Sequence, residues 1–208
     1  MLIFAAVGSI RPEQIASILR SGPSSVIALV TTFIATLLLP VTAAVGIGVA
    51  LSILLQLNQE AVDLKVVRLR PTDGGLLEEA DAPKTLASGE VVVLDVYGSL
   101  FYAGARTLQV HLPDPGNARS PEVILRLRGR TTLGATFFKV VADYAGRLDR
   151  LGGRLYLSGL MPEMLDYWDA DRLDSQGVSL EMFAATPILG ESTGQAIEEA
   201  ERRLVRKR

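Results

Sequence analysis

The chain has 208 residues, 21 of them Lys or Arg and 23 Asp or Glu, for a formal net charge of −2. That balance gives no bulk electrostatic pull toward nucleic acid. The absence of cysteine removes disulfides, thiolate metal sites and Cys nucleophiles, and one histidine, His111, is too few for a His-based zinc site.

Residues 1–8 are apolar but too short to span a bilayer, and they lack the basic start and small-residue cleavage site of a secretory leader. Residues 11–20 put Pro12 at a first helical turn and Ile15, Ile18 and Leu19 on one face, which predicts a short interfacial helix. Ser21-Gly22-Pro23-Ser24 reads as a turn. From there to Gln59 no Asp, Glu, Lys or Arg occurs. This run is about twice the roughly 18 apolar residues that mark a membrane span. Pro40 lies near its middle and has no N–H to give a helix. The run therefore predicts two helices, at about residues 24–39 and 41–57, each at the short end of what crosses a ~30 Å hydrocarbon core. Basic residues flank both ends: Arg11 and Arg20 before, Lys65, Arg68 and Arg70 after. Both ends then lie on the cytoplasmic side, as in a hairpin of the inner (plasma) membrane whose first partner is the lipid bilayer. Ala43, Ala44, Gly46, Gly48, Ala50 and Ser52 crowd the second helix, and Thr31, Thr32, Ala35 and Thr36 the first. In lipid such residues mark contact between helices, so Gly46 and Gly48 read as packing features and the hairpin expects further helices, or an oligomer, around it.

Beyond residue 60 the composition shifts to that of a water-exposed domain. Residues 61–89 read as a linker holding a first strand at 66–69, then a loop over 71–89 with turn signals at Asp73-Gly74-Gly75 and Ala82-Pro83. Strands are predicted at 90–96, 123–128, 154–160 and 178–183. Helices are predicted at 102–112, 136–151, 162–171 and 191–204. Phe137, Val140, Val141, Tyr144 and Leu148 form one helical stripe, and Gly152-Gly153 ends it. Strands alternating with helices of this length predict an α/β domain with a mostly parallel, mixed sheet packed by helices.

Residues 31–40 (Thr-Thr-Phe-Ile-Ala-Thr-Leu-Leu-Leu-Pro) and 44–49 (Ala-Val-Gly-Ile-Gly-Val) resemble the last two membrane helices of the sulfate permease (SulP) family of anion transporters. The remainder of the chain resembles that family's cytoplasmic STAS domain. Residues 123–159 carry the STAS order of strand, loop, helix, Gly-Gly and strand, and Ser158-Gly159-Leu160-Met161-Pro162 is similar to its turn into the next helix. The resemblance implies a membrane α-helical hairpin followed by a STAS-like α/β domain: residues 1–60 a partial transmembrane region, residues 90–208 the STAS domain. Family transporters hold their anion site between facing half-helix N-termini in earlier membrane segments, which these residues do not match. The chain looks like the C-terminal third of such a transporter, and on this reading it does not transport alone. The implied partners are the remaining membrane helices of a SulP-type transporter and a second copy in a homodimer, with no nucleic acid.

In antagonist-type STAS domains the loop before the main helix presents Asp-Ser. Here Leu133-Gly134-Ala135-Thr136 has Gly134 in place of the Asp and Thr136 at the acceptor position. Thr136 is thus a candidate phosphoacceptor or partner contact, set against plain helix capping by Thr131, Thr132 or Thr136. Arg128-Gly129-Arg130 beside it reads as a solvated loop, Trp168 as a packing residue, and Asp166, Asp169, Asp171 and Asp174 as an acidic face without the spacing of a calcium loop. No cofactor, metal or catalytic residue is expected, since no nucleophile and base are paired. Two functions compete: the terminal segment of an anion (sulfate) transporter, and a membrane-tethered STAS regulatory module that binds a protein partner.

Overall fold

The computed structural model describes residues 13, 16, 19–20, 22–62, 64–72, 77–129, 133–167 and 180–207. The apolar segment at 1–8, most of the expected helix at 11–20, the turn at 73–75, Thr131, Thr132, Arg130, Trp168, Asp169, Asp171 and Asp174 lie outside these residues. The chain divides into two units, Met1–Gln59 and Glu60–Arg208.

In the first unit Pro40 separates helix α1 (Pro23–Leu38) from helix α2 (Val41–Val62). Pro23 stands at the first turn, where its missing N–H is not needed. Small residues make the contact between the two helices. A Cβ on Gly48 would lie 2.8 Å from the Thr32 hydroxyl, and Ala35 and Ala44 are buried. Thr32 and Thr36 donate their hydroxyl protons back to the carbonyls of Ala28 and Thr32, at 2.8 and 2.7 Å, so neither requires a partner outside its own helix. Gly46 does not join the contact; the space beyond its Cα is open. The large apolar side chains point outward: Val30, Phe33, Leu37, Val45, Val49 and Ile53 are all exposed. Among the described residues no helix is long and apolar enough to cross a membrane. The 16 residues of α1 rise only about 24 Å at ~1.5 Å each, and Gln56 interrupts the apolar run of α2.

The second unit is a six-stranded sheet. Its strands are β1 (Lys65–Pro71), β2 (Leu77–Asp81), β3 (Val91–Tyr97), β4 (Glu122–Arg126), β5 (Arg154–Leu160) and β6 (Leu180–Ala184), in the order β2-β1-β3-β4-β5-β6. β1 is antiparallel to β2 and β3; β3 through β6 run parallel. The intervening helices are α3 (Tyr102–His111), α4 (Ala135–Asp149) and α5 (Pro162–Tyr167), and α6 (Glu191–Lys207) closes the chain. β2 corrects the expectation of a loop over 71–89. It is an exposed strand of sequence Leu-Glu-Glu-Ala-Asp, held by its register on β1, and its own residues show no apolar alternation.

Strand alternation sorts the core into two faces. Val92, Leu94, Val123, Leu125, Leu155 and Leu157 point to one side, where Leu108 of α3 and Phe137, Val140, Val141, Tyr144 and Leu148 of α4 cover them. Val93, Ile124 and Tyr156 point to the other, covered by Ala196 and Ala200 of α6. The first face is mainly apolar, with the Arg68–Glu90 ion pair on its β1–β3 side; the second carries the buried carboxylates Asp95 and Glu122.

Candidate functional site

The parallel strands β3–β6 end where β1 begins; we term this the upper end. The β4–α4 loop lies there, with Leu127 buried and Leu133 packed on the apolar core. Gly134 is the N-cap of α4, and among the described residues no side chain caps the helix. Thr136, half-buried in the first turn, is therefore not the cap that plain helix chemistry would make it. The amides of Phe137 and Phe138 turn back to the Gly134 carbonyl at 2.9 and 3.4 Å. Arg128 is not a solvated charge: its Nη1 donates to the Thr186 carbonyl at 3.0 Å, tying the β4–α4 loop to the β6–α6 loop. Gly159 fits beneath it. Its φ is +78°, and a Cβ there would lie 3.0 Å from the Arg128 side chain, so the Ser158–Pro162 turn needs glycine at this position. His111 is exposed in the last turn of α3, its Nδ1 2.9 Å from the Thr107 carbonyl oxygen.

A row of polar side chains crosses the α6 face just below this end. The register aligns Asp95, Arg126 and Ser158. Arg126 donates to Asp95, whose other oxygen accepts the Val96 amide at 3.0 Å. The Ser158 and Thr193 hydroxyls meet at 3.1 Å, both buried. At the opposite end of the same face sits Glu122, fully buried. It accepts from the Tyr156 hydroxyl at 3.0 Å and from Arg203 of α6 at 2.6 Å. Burial pushes the Glu122 carboxyl above its usual range, and Arg203 and Tyr156 pull it partly back. Burial, then the charge of Arg203, lowers Lys207, which donates to the Gly152 carbonyl. The sequence does hold a signal for these groups: single charges at 95, 122 and 126, within or beside apolar strands, with one parity.

The buried carboxylates are each committed to an arginine, and among the described residues no group of three or more His, Cys, Asp or Glu side chains could hold a metal. Of the residues singled out from sequence, Thr136 and Arg128 both lie at the upper end, while Pro40, Gly46 and Gly48 belong to the helical unit.

No family model and no curated protein matches the sequence. Among the solved structures that share its fold are two of one anion transporter. One is the murine Solute Carrier 26 family member A9 anion transporter in the inward-facing state, with a TM-score of 0.64 and 13% identity over 90% of this chain. The other is the overall structure of SLC26A9, with a TM-score of 0.65 and 14% identity, also over 90% of this chain. The chain spans about a third of each: 30% and 32% of their lengths. At such identity the likeness is one of fold. Nine-tenths of this chain is more than Glu60–Arg208 holds, so the match extends into the helical unit.

Proposed function

We propose that these residues form the terminal membrane hairpin and cytoplasmic STAS domain of a SulP-type anion transporter, sulfate being the family's substrate, and that they do not transport alone. The observation that carries this reading is the extent of the match to the anion transporter structures: it covers 90% of this chain, more than the α/β unit holds. The inside-out helical pair supports it, because exposed Phe33, Leu37, Val45 and Ile53 suit lipid or neighbouring helices better than water. A helix shorter than the hydrocarbon core, as α1 is, fits a membrane by local thinning or by packing within a larger bundle. The α/β unit then hangs on the cytoplasmic side and serves regulation and homodimerisation, with no cofactor and no enzymatic step. Membrane fractions washed with alkaline carbonate should retain the chain. Proteoliposomes bearing it should take up no sulfate above empty vesicles; uptake would overturn the proposal.

A second reading rests on Thr136. It stands half-buried in a first turn whose cap is glycine, so a phosphate there would meet the positive end of the helix dipole without competition from a capping side chain of Gly134. As a regulatory module the unit would bind a protein partner through this loop. Pull-down of a partner by the native chain and its loss with Thr136→Glu would support that reading; equal recovery would end it.

A further inference from the structure

We infer that the upper end of the α/β unit rests on the lipid surface itself, through two braced apolar tips: Phe101–Tyr102, where the β3–α3 loop enters α3, and Ile188–Leu189 in the β6–α6 loop. The inference rests on the membrane reading of α1 and α2. These four side chains are 52%, 68%, 64% and 75% exposed. The unit's other exposed large aliphatics, Leu77, Val110 and Val205, stand singly on β2 and near the ends of α3 and α6, as is ordinary for a surface. Paired apolar residues on loop tips at one end of a sheet are not ordinary.

Both tips are held in shape. Arg128 grips the Thr186 carbonyl, the Ala185 amide donates to Leu160, and the Thr186 hydroxyl donates to the Ile188 carbonyl at 3.2 Å. On the other side Gly104 admits the Ser99 carbonyl so closely that a Cβ there would overlap it. The Ala105 amide donates to Phe101 at 2.7 Å. The tips therefore present fixed apolar side chains to solvent rather than folding them in. They are carried on strands β3 and β6, three places apart in the sheet, or about 14 Å at ~4.8 Å per strand. A flat apolar medium reaches both at once. Lipid is favoured because the chain leaves this same end at Lys65, opposite Tyr97, into the charge-free segment. Among the described residues the end carries Lys65 and Arg128 against Glu163 and Glu191, a balance that predicts apolar rather than electrostatic contact.

The sequence has no native cysteine, so single probes can be placed cleanly. The full chain is reconstituted in phosphatidylcholine vesicles with an environment-sensitive fluorophore at Leu189→Cys, Phe101→Cys, Phe33→Cys or Asn117→Cys, the last at the opposite end of the sheet. Nitroxide-labelled lipid is then added. The expected result is a blue shift and at least twofold quenching at 189 and 101, unchanged between 50 and 500 mM salt, with no quenching at 117. Quenching at 33 but not at 189 and 101 would overturn the inference and leave the membrane reading intact. No quenching at 33 would remove the membrane reading, and the inference with it. A blue shift at 189 without lipid quenching would mean the tips lie against protein, which also overturns it.

Discussion

The two units solve opposite packing problems. In the α/β unit the large side chains go inward: Phe137, Leu125, Leu148 and Leu157 are fully buried between the sheet and α3 and α4. In the helical unit the small ones do: Gly48 takes the Thr32 side chain, Ala35 and Ala44 are covered, and Phe33, Leu37 and Leu38 face out. Water drives the first arrangement by expelling apolar area. It cannot drive the second, whose contact buries almost no large apolar side chain; close backbone approach and dispersion must hold it. One chain thus carries two solvent assumptions, and substitutions should expose them.

The largest effect should come from the apolar face. Phe137→Ala should cost about 3–5 kcal/mol in denaturant unfolding of the α/β unit. Phe33→Ala, an equal truncation on an exposed position, should shift the same transition by less than about 0.5 kcal/mol. If the two were equal, the contrast between the units would be gone. Next comes Arg203→Met, which leaves Glu122 buried without its cation. About 3 kcal/mol is expected at pH 7. The sign with pH comes from the raised Glu122 carboxyl. The folded state holds the proton more tightly than the unfolded chain, so the stability linked to it is full below the ordinary glutamate range, near pH 4.5. That stability is lost as pH rises through the folded value. The Arg203→Met deficit should shrink on acidification, and Glu122→Gln should flatten the dependence. Thermal melts from pH 4 to pH 8 read both. Smaller still is Gly48→Leu, which should separate α1 from α2 by overpacking at a cost of about 1–3 kcal/mol in detergent. Gly46→Leu should leave the pair unchanged, because nothing faces it. Disulfide trapping between paired cysteines placed in α1 and α2 would show which glycine holds the helices together.

Where one rule governed a segment, the sequence was readable. The apolar run in Val-Val-Val-Leu-Asp-Val placed β3 within one residue of its observed limits, and the stripe from Phe137 to Leu148 marked the covered face of α4. Pro40 split the apolar run where the chain bends. β2 escaped because an exposed edge strand needs no apolar face and takes its shape from pairing with β1. α2 runs to Val62, past its expected end at 57, because Gln56, Asn58, Gln59 and Glu60 end the apolar run without breaking the helix. Gly46 and Gly48 looked alike in sequence. Helical phase put only Gly48 toward α1. The polar row under α6 was hidden for another reason. Asp95, Arg126 and Glu122 read as interruptions of apolar strands until parallel register set Asp95 beside Arg126, and α6 brought Arg203 from the far end of the chain.

The acidic strand β2 also limits how copies of this chain can associate. Its outer rim, unpaired among the described residues, carries Glu78, Glu79 and Asp81. Two such rims brought together would set carboxylate against carboxylate along a shared ladder. Continuous sheet across two molecules is thereby discouraged at this border, and of the two edges of the sheet it is β6, not β2, that lacks an acidic run.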